Sequence, residues 1–400
     1  MKVAVLAEFY PSRRDPVLGI WAHRQALAAR AAGAEVRVLV LHRLVPPRES
    51  LKDGPAGVAR AMAGIAREPL EQVLDGLQIT YVPYVSPPRD GAYPAWGAWS
   101  APVLGAAMRR LGRTFAFDLV HAHNAVPAGD AARRVLAGRR FGATPLVVSV
   151  HGGDVLYTAA RSEAGAEAVA RGLGAARLVL ANSRGIAELA VAHGARETRV
   201  VHLGAASGSG EESTPRRDGP PSLVTVGHLV ARKRHADVLR ALAVLGPRYP
   251  TLRYAIVGEG PERTALEGLA ARLGVTERVD FRGQLAPEQA IDEARRCTLF
   301  VMPSTEEAFG VAYVEAMAGG IPAIGCRGEP GPEEIAAAGD GMVLVPPGDI
   351  ERLTQRIDEL LSDPQRLREA GQRARATVAA NFTWERCGAQ TVAAYEYALR

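Results

Sequence analysis

Short runs of Val, Leu, Ile and Ala recur along this chain with room for one helix between each pair, and that alternation constrains the fold more than any other feature. The opening KVAVLAEFYP is apolar almost throughout, as a strand buried on both faces must be. A loop, SRRDPVLG, follows, then a helical pattern from about Ile20 to Ala32 that Gly33 stops. EVRVLVL, LQITYVPYV, FDLVHAH, TPLVVSVHGG, ARLVLANS and TRVVHLG repeat the strand pattern between Ala-rich helical segments. Residues 204–221, GAASGSGEESTPRRDGPP, have no apolar period and are dense in Gly, Ser and Pro, the composition of a linker. The alternation then restarts with SLVTVG, RYAIVGEG, VDFRG, TLFVMPS, PAIGC and GMVLVPP.

Strands alternating with helices predict α/β domains built on doubly wound parallel sheets, and 400 residues exceed what one core organises. The expected division is a first Rossmann-like domain over 1–205, a linker over 206–221 and a second Rossmann-like domain over 222–383. A helix over 384–400 is expected to pack back on the first domain. PPRESLKDGPAG and PPRDGAYPAWGAWSAP read as non-helical insertions in the first domain. Ligands of such sheets bind outside the carboxyl ends of the strands, so two facing domains place the expected site in the cleft between them.

Charge narrows the partners. Residues 1–205 hold 25 Lys and Arg against 16 Asp and Glu, a surplus of +9, while the whole chain carries only +5. A basic first half suits an anionic partner, such as a phosphorylated substrate or the surface of an anionic membrane. Arg109, Arg110 and Arg113, near Trp96 and Trp99, are the candidate surface patch. The arginines are otherwise scattered, with no basic run interleaved with aromatics, which argues against nucleic acid. Cys297, Cys326 and Cys387 are far apart and odd in number, so neither a zinc site nor a disulfide framework follows. No apolar run reaches 18 residues. The expected location is the cytoplasm, with peripheral contact at the inner face of the membrane. The oligomeric state is not predicted.

Four stretches carry candidate chemistry. In PSTEEAFGVAYVEAMAGG, Glu307 precedes a helix expected over Val311–Ala318, and Glu315 lies one turn inside it. Ionised carboxylates at such a place grip sugar hydroxyls through charge-assisted hydrogen bonds. The free amides of Phe309, Gly310 and Val311 would face an anion such as a diphosphate. In TVGHLVARKRH, His228 and Lys233 follow a strand end. Lys233 is one of three lysines in an arginine-rich chain, which hints at a compact ammonium for phosphate. In SVHGGDV, His151 sits at the carboxyl edge of a strand, and Asp154 is spaced to cap a following helix. In PSRRDPVLGIWAHRQ, a loop ending in Gly19 could touch phosphates. IVGEGPER lacks the third glycine of a dinucleotide fingerprint, and no His, Cys or carboxylate group has metal-ligand spacing.

Together with DLVHAH, AIVGEGPERTALEGLAARLGVTERVDFRGQL and GMVLVPPGD, these elements resemble the large retaining glycosyltransferase family 4 (glycosyltransferases group 1), and GEPGPEEI is most similar to its cell-wall and exopolysaccharide assembly members. The resemblance implies the GT-B architecture, two Rossmann-like domains facing across a cleft. It implies transfer of a hexosyl group from a nucleotide-diphosphate sugar to a glycan, lipid-linked or small-molecule acceptor, with no metal ion and no other cofactor. By the same resemblance, Glu315 holds the ribose hydroxyls, and Glu307 holds the donor sugar with the amides of Phe309 and Gly310. Lys233 neutralises the diphosphate, Gly19 approaches it from the first domain, and His151 bonds the donor sugar near the reacting carbon. Asp154 orients that loop.

The chain departs from the family at His228, a donor-binding position where arginine is usual and, with the lysine, stabilises the leaving diphosphate, and at Ala308, where glycine is common. A histidine carries full charge only when protonated. Two alternatives therefore stay open: a non-catalytic nucleotide-sugar-binding protein, and a nucleotide-sugar epimerase.

Overall fold

The computed structural model describes residues 1–12, 15–46, 50, 52–66, 69–206 and 219–400. They form two compact units. The first comprises Met1–Asn182, Ile186–Val201 and Cys387–Arg400, and the second Ser183–Gly185 and His202–Arg386. Most of the expected linker, 206–221, lies outside the described residues.

The first unit holds an eight-stranded sheet. Its strands are β1 (Lys2–Ala7), β2 (Glu35–Arg43), β3 (Glu71–Leu74), β4 (Leu77–Tyr84), β5 (Leu119–His123), β6 (Leu146–Val150), β7 (Leu178–Ala181) and β8 (Thr198–Val200). Their order is β3-β4-β2-β1-β5-β6-β7-β8. Every residue of β5, β6 and β7 is buried, which is why these strands read as unbroken apolar runs.

Beyond the strands expected from the sequence, β3 adds an antiparallel edge to β4. Asp75 and Gly76 join them with φ of 49° and 76°. A two-residue hairpin turn needs positive φ at both positions, and Asp-Gly is the pair that tolerates it.

Both stretches read as non-helical contain helix. Gly54–Ala66 begins inside the first, and Arg89–Ala92 and Trp96–Thr114 occupy the second. Glycine and proline misled here because tertiary packing uses them. A Cβ on Gly97 would lie 2.3 Å from the Asp130 carboxylate, and Pro102 is accommodated inside the long helix.

The last helix, Trp384–Ala398, contributes its final residues to the first unit. A Cβ on Gly388 would lie 2.2 Å from the Ala28 carbonyl oxygen, so only glycine allows this approach. Gln25 Nε2 donates to Thr391 Oγ1 at 3.1 Å.

The second unit is a six-stranded sheet in the order β11-β10-β9-β12-β13-β14, with every pair parallel. Its strands are β9 (Ser222–Val226), β10 (Arg253–Val257), β11 (Val279–Gly283), β12 (Leu299–Val301), β13 (Ala323–Cys326) and β14 (Met342–Val345). Leu223, Leu239, Leu242, Ile256, Leu299 and Ile324 fill its core.

No described helix is long and apolar enough to cross a membrane. Of the expected surface patch, Trp99 is 52% exposed but Trp96 is buried. Arg43 stacks 4.4 Å over the Trp96 ring, and Arg110 is paired with Glu71 at 3.3 Å. The three cysteines are free and buried.

Candidate active site

Seven of the residues singled out from the sequence lie in the second unit, on the segments that follow β9 and β12: five before the helix Val311–Ala318, and Val311 and Glu315 within it. β9 ends at Val226, and a short turn, Ala231–Lys233, sends the Lys233 side chain inward. Its Nζ donates to Glu307 Oε2 at 2.5 Å. Ser304 Oγ donates to the same oxygen at 3.0 Å, and Arg232 Nη1 lies 3.9 Å from it. None of these contacts uses Glu307 Oε1. Burial would raise the Glu307 pKa, but Lys233, Arg232 and Ser304 outweigh it and hold the carboxyl below its ordinary value. For Lys233 burial wins over the attraction of Glu307, and its pKa is lowered. The result is a buried ion pair in which Lys233, Ser304 and Arg232 all address the same carboxylate oxygen.

The loop carrying Glu307 is held from several sides. Its amide donates to Glu329 Oε2 at 2.8 Å, and the Ser183 hydroxyl donates to the Ala308 carbonyl at 2.8 Å. Phe309 is buried, with its ring stacked on His202 at 5.9 Å. His202 Nε2 in turn meets Glu334 Oε1 at 2.7 Å. The strained φ of the loop, 54°, falls on Glu306, not on Ala308.

The helix Val311–Ala318 then begins, with Gly310 before it at φ 87°. The amides of Phe309, Gly310 and Val311 meet no acceptor among the described residues. Glu315 lies half-buried one turn in. His228 is exposed, and its carbonyl accepts from His235 Nε2 at 3.3 Å.

A Cβ at position 310 would lie 2.3 Å from the Tyr313 ring. Gly310→Ala therefore meets both that clash and a left-handed backbone worth about 1–2 kcal/mol. It is expected to move the helix start and to weaken nucleotide-sugar binding more than overall stability, as calorimetric titration beside thermal melting would show.

Gly19, His151 and Asp154 lie in the first unit. Gly19 has φ 68°, and a Cβ there would lie 2.1 Å from the Phe9 carbonyl oxygen, so packing against Phe9 already explains the glycine. Asp154 does not cap a following helix. It sits inside the helical turn Gly153–Thr158, and its Oδ1 accepts from the Val126 amide at 3.3 Å. Burial, offset in part by the amides of Ala125 and Val126, raises its pKa to about 7.

His151 Nε2 meets His123 Nδ1 at 2.9 Å. His151 Nδ1, His123 Nε2 and Asp154 Oδ2 are buried with no partner among the described residues. Each such atom costs about 1–3 kcal/mol unless something pairs with it.

The sequence reading passed over Glu8, which follows β1 directly. Tyr93 OH donates to its Oε2 at 2.8 Å, and burial raises its pKa to about 7 against the pull of Arg89 and Tyr93. It also passed over His123, Ser304 and Glu329. Glu8 and His123 occupy carboxyl ends of strands, and that placement was the available signal.

Comparison with known proteins gives the family and the fold. Residues 210–377 match the family described as Glycosyl transferases group 1, and residues 19–205 match the Glycosyl transferase 4-like domain. The D-inositol 3-phosphate glycosyltransferase of Streptomyces bingchenggensis is 32% identical over 315 residues, covering 71% of this chain and 67% of that one. The GDP-mannose-dependent alpha-(1-6)-phosphatidylinositol monomannoside mannosyltransferase of Mycolicibacterium smegmatis is 32% identical over 177 residues, 42% of this chain and 46% of that one. The chain spans less than half the length of several curated relatives it matches, from 16% to 46%.

Among solved structures, sucrose-phosphate synthase from Thermosynechococcus elongatus superposes with a TM-score of 0.77 at 21% identity, covering 99% and 98% of the two chains. Anabaena HepE in complex with UDP-glucose gives 0.73 at 19% identity over 99% and 100%. These likenesses show the GT-B fold. With the family match extending over both units, the chain belongs to the group 1 glycosyltransferases, family 4.

Proposed function

We propose that the protein is a retaining glycosyltransferase that moves a hexosyl group from a nucleotide-diphosphate sugar to a glycan, lipid-linked or small-molecule acceptor, without a metal ion. The observation that carries this reading is the buried Lys233–Glu307 pair, followed in the same loop by the three amides of Phe309, Gly310 and Val311, which meet no acceptor among the described residues. Family membership and the donor named for HepE and for the mannosyltransferase support a nucleotide sugar as the ligand.

Glycosyl transfer must separate charge. As the bond from the anomeric carbon to the diphosphate oxygen breaks, the carbon becomes cationic and the diphosphate gains negative charge. Lys233 Nζ, the neighbouring Arg232 and the amides at the helix start are preorganised donors for that growing charge. Glu307 Oε1 and Glu315 hold sugar and ribose hydroxyls as acceptors. The acceptor hydroxyl attacks from the face that the diphosphate leaves, and a departing phosphate oxygen takes its proton. This forms the new glycosidic bond with retention of configuration.

The test is a thermal-shift panel of nucleotide sugars in EDTA, followed by NMR of the product formed with the best stabiliser. Stabilisation and an anomeric configuration matching the donor are expected. Inversion, or turnover only with an added divalent cation, would contradict the proposal.

A further inference from the structure

The carboxyl ends of β5 and β6 stack three imidazoles. The His121 and His123 ring centroids are 4.5 Å apart, and those of His123 and His151 are 5.2 Å apart with planes only 8° from parallel. His121 is fully used, with Nδ1 on the Tyr395 hydroxyl and Nε2 on the Ser149 hydroxyl, both at 2.7 Å. His123 and His151 share one hydrogen bond, Nδ1 to Nε2, at 2.9 Å. Their other nitrogens, His123 Nε2 and His151 Nδ1, are buried and unpartnered among the described residues.

Burial keeps both rings neutral, and a neutral imidazole carries one N–H and one lone pair. The shared bond holds a single proton. If His123 supplies it, His123 Nε2 is bare, and His151, which accepts on Nε2, carries its own proton on Nδ1. If His151 supplies it, His151 Nδ1 is bare and His123 carries its proton on Nε2. The two rings therefore always adopt the same tautomer. Whatever meets His151 Nδ1 finds a donor in the first state and an acceptor in the second.

We propose that His123 is a positioning residue for substrate recognition: the shared bond ties its tautomer to that of His151, so that His151 Nδ1 meets a sugar hydroxyl as donor in one joint state and as acceptor in the other. A hydroxyl is the ligand group that fits, since it can both give and take a hydrogen bond. Identifying the ligand as a sugar rests on the transferase reading. The linkage of the two tautomers does not.

Nitrogen-15 NMR of the ring nitrogens in the full chain tests this directly. In the wild type both rings are expected to show the same tautomer, and adding UDP-glucose or GDP-mannose should shift the His151 nitrogens where UDP or GDP does not. His123→Phe removes the shared bond. It should redistribute the His151 tautomers and raise KM for the nucleotide sugar on the order of tenfold, one hydrogen bond's worth. His123→Asn places an amide where Nδ1 stood and should restore much of both. Opposite tautomers in the wild type would overturn the proposal. So would a His123→Phe protein with unchanged His151 tautomer and unchanged KM, and that result would leave the transferase reading intact. Sugar-dependent nitrogen shifts without any turnover would uphold the recognition site while the transferase reading fails.

Discussion

Lys233→Met is expected to lower the unfolding free energy by about 3–5 kcal/mol, because it strands the Glu307 carboxylate in a buried site. Ser304 and Arg232 remain near that carboxylate, but neither replaces an ammonium at 2.5 Å. The double variant Lys233→Met/Glu307→Gln removes both charges at similar volume and should recover most of the lost stability. Turnover should not recover with it. Losing a preorganised donor to the leaving group costs roughly 10²–10³ in kcat, and the double variant also loses the acceptor for a sugar hydroxyl. Urea unfolding beside steady-state rates separates the two effects. A double variant as unstable as the single one would mean the pair is not the buried unit described above.

Acid should destabilise the first unit through its imidazole stack. Burial takes His121 from an ordinary 6.5 to about 3, lowers His151 to about 3, and pushes His123 well below its usual range. The unfolded chain binds protons at these rings below pH 6.5 and the folded one does not. The stability they contribute is complete above pH 6.5 and is lost as pH falls, by about 1.4 kcal/mol per pH unit for each ring.

Glu8 and Asp154 act in the opposite sense. Both are raised to about 7, so the folded state keeps protons that the unfolded state has lost, and their penalty shrinks as pH falls from 7 toward 4. The wild-type curve therefore mixes two trends. The difference from His121→Gln, which keeps hydrogen-bonding capacity toward Tyr395 and Ser149, isolates one ring. Between pH 6 and pH 4 the variant should lose about 1.4 kcal/mol per pH unit less than the wild type. Parallel curves would show that His121 protonates freely in the folded protein. Trp21, Trp96 and Trp99, three of the four tryptophans, report on this unit.

The parts of the fold legible in the sequence were those set by period and burial. TPLVVSV and TLFVMPS read as buried strands because both faces of a parallel sheet are covered, and both are strands. The helix Val311–Ala318 was legible from its place after a strand-end loop and from the Gly319-Gly320 stop. Where a residue's local preference and its tertiary contact disagreed, the sequence misled. Gly97 and Pro102 look like breakers until Asp130 is seen packed against Gly97.

The site divides in the same way. Spacing after a strand end singled out Glu307, Lys233 and the amides as candidates, and the structure places Lys233 against Glu307. Their direct pairing was not, since 74 residues separate Lys233 from Glu307. Nor was the bond between His123 and His151, which depends on β5 and β6 being neighbours.

Calorimetric titration of UDP-glucose and GDP-mannose in EDTA, into the wild type and into Lys233→Met/Glu307→Gln, tests the central claim most directly. The claim predicts one bound nucleotide sugar per wild-type chain and an affinity at least ~100-fold weaker in the double variant. Equal affinity in the two proteins would contradict it.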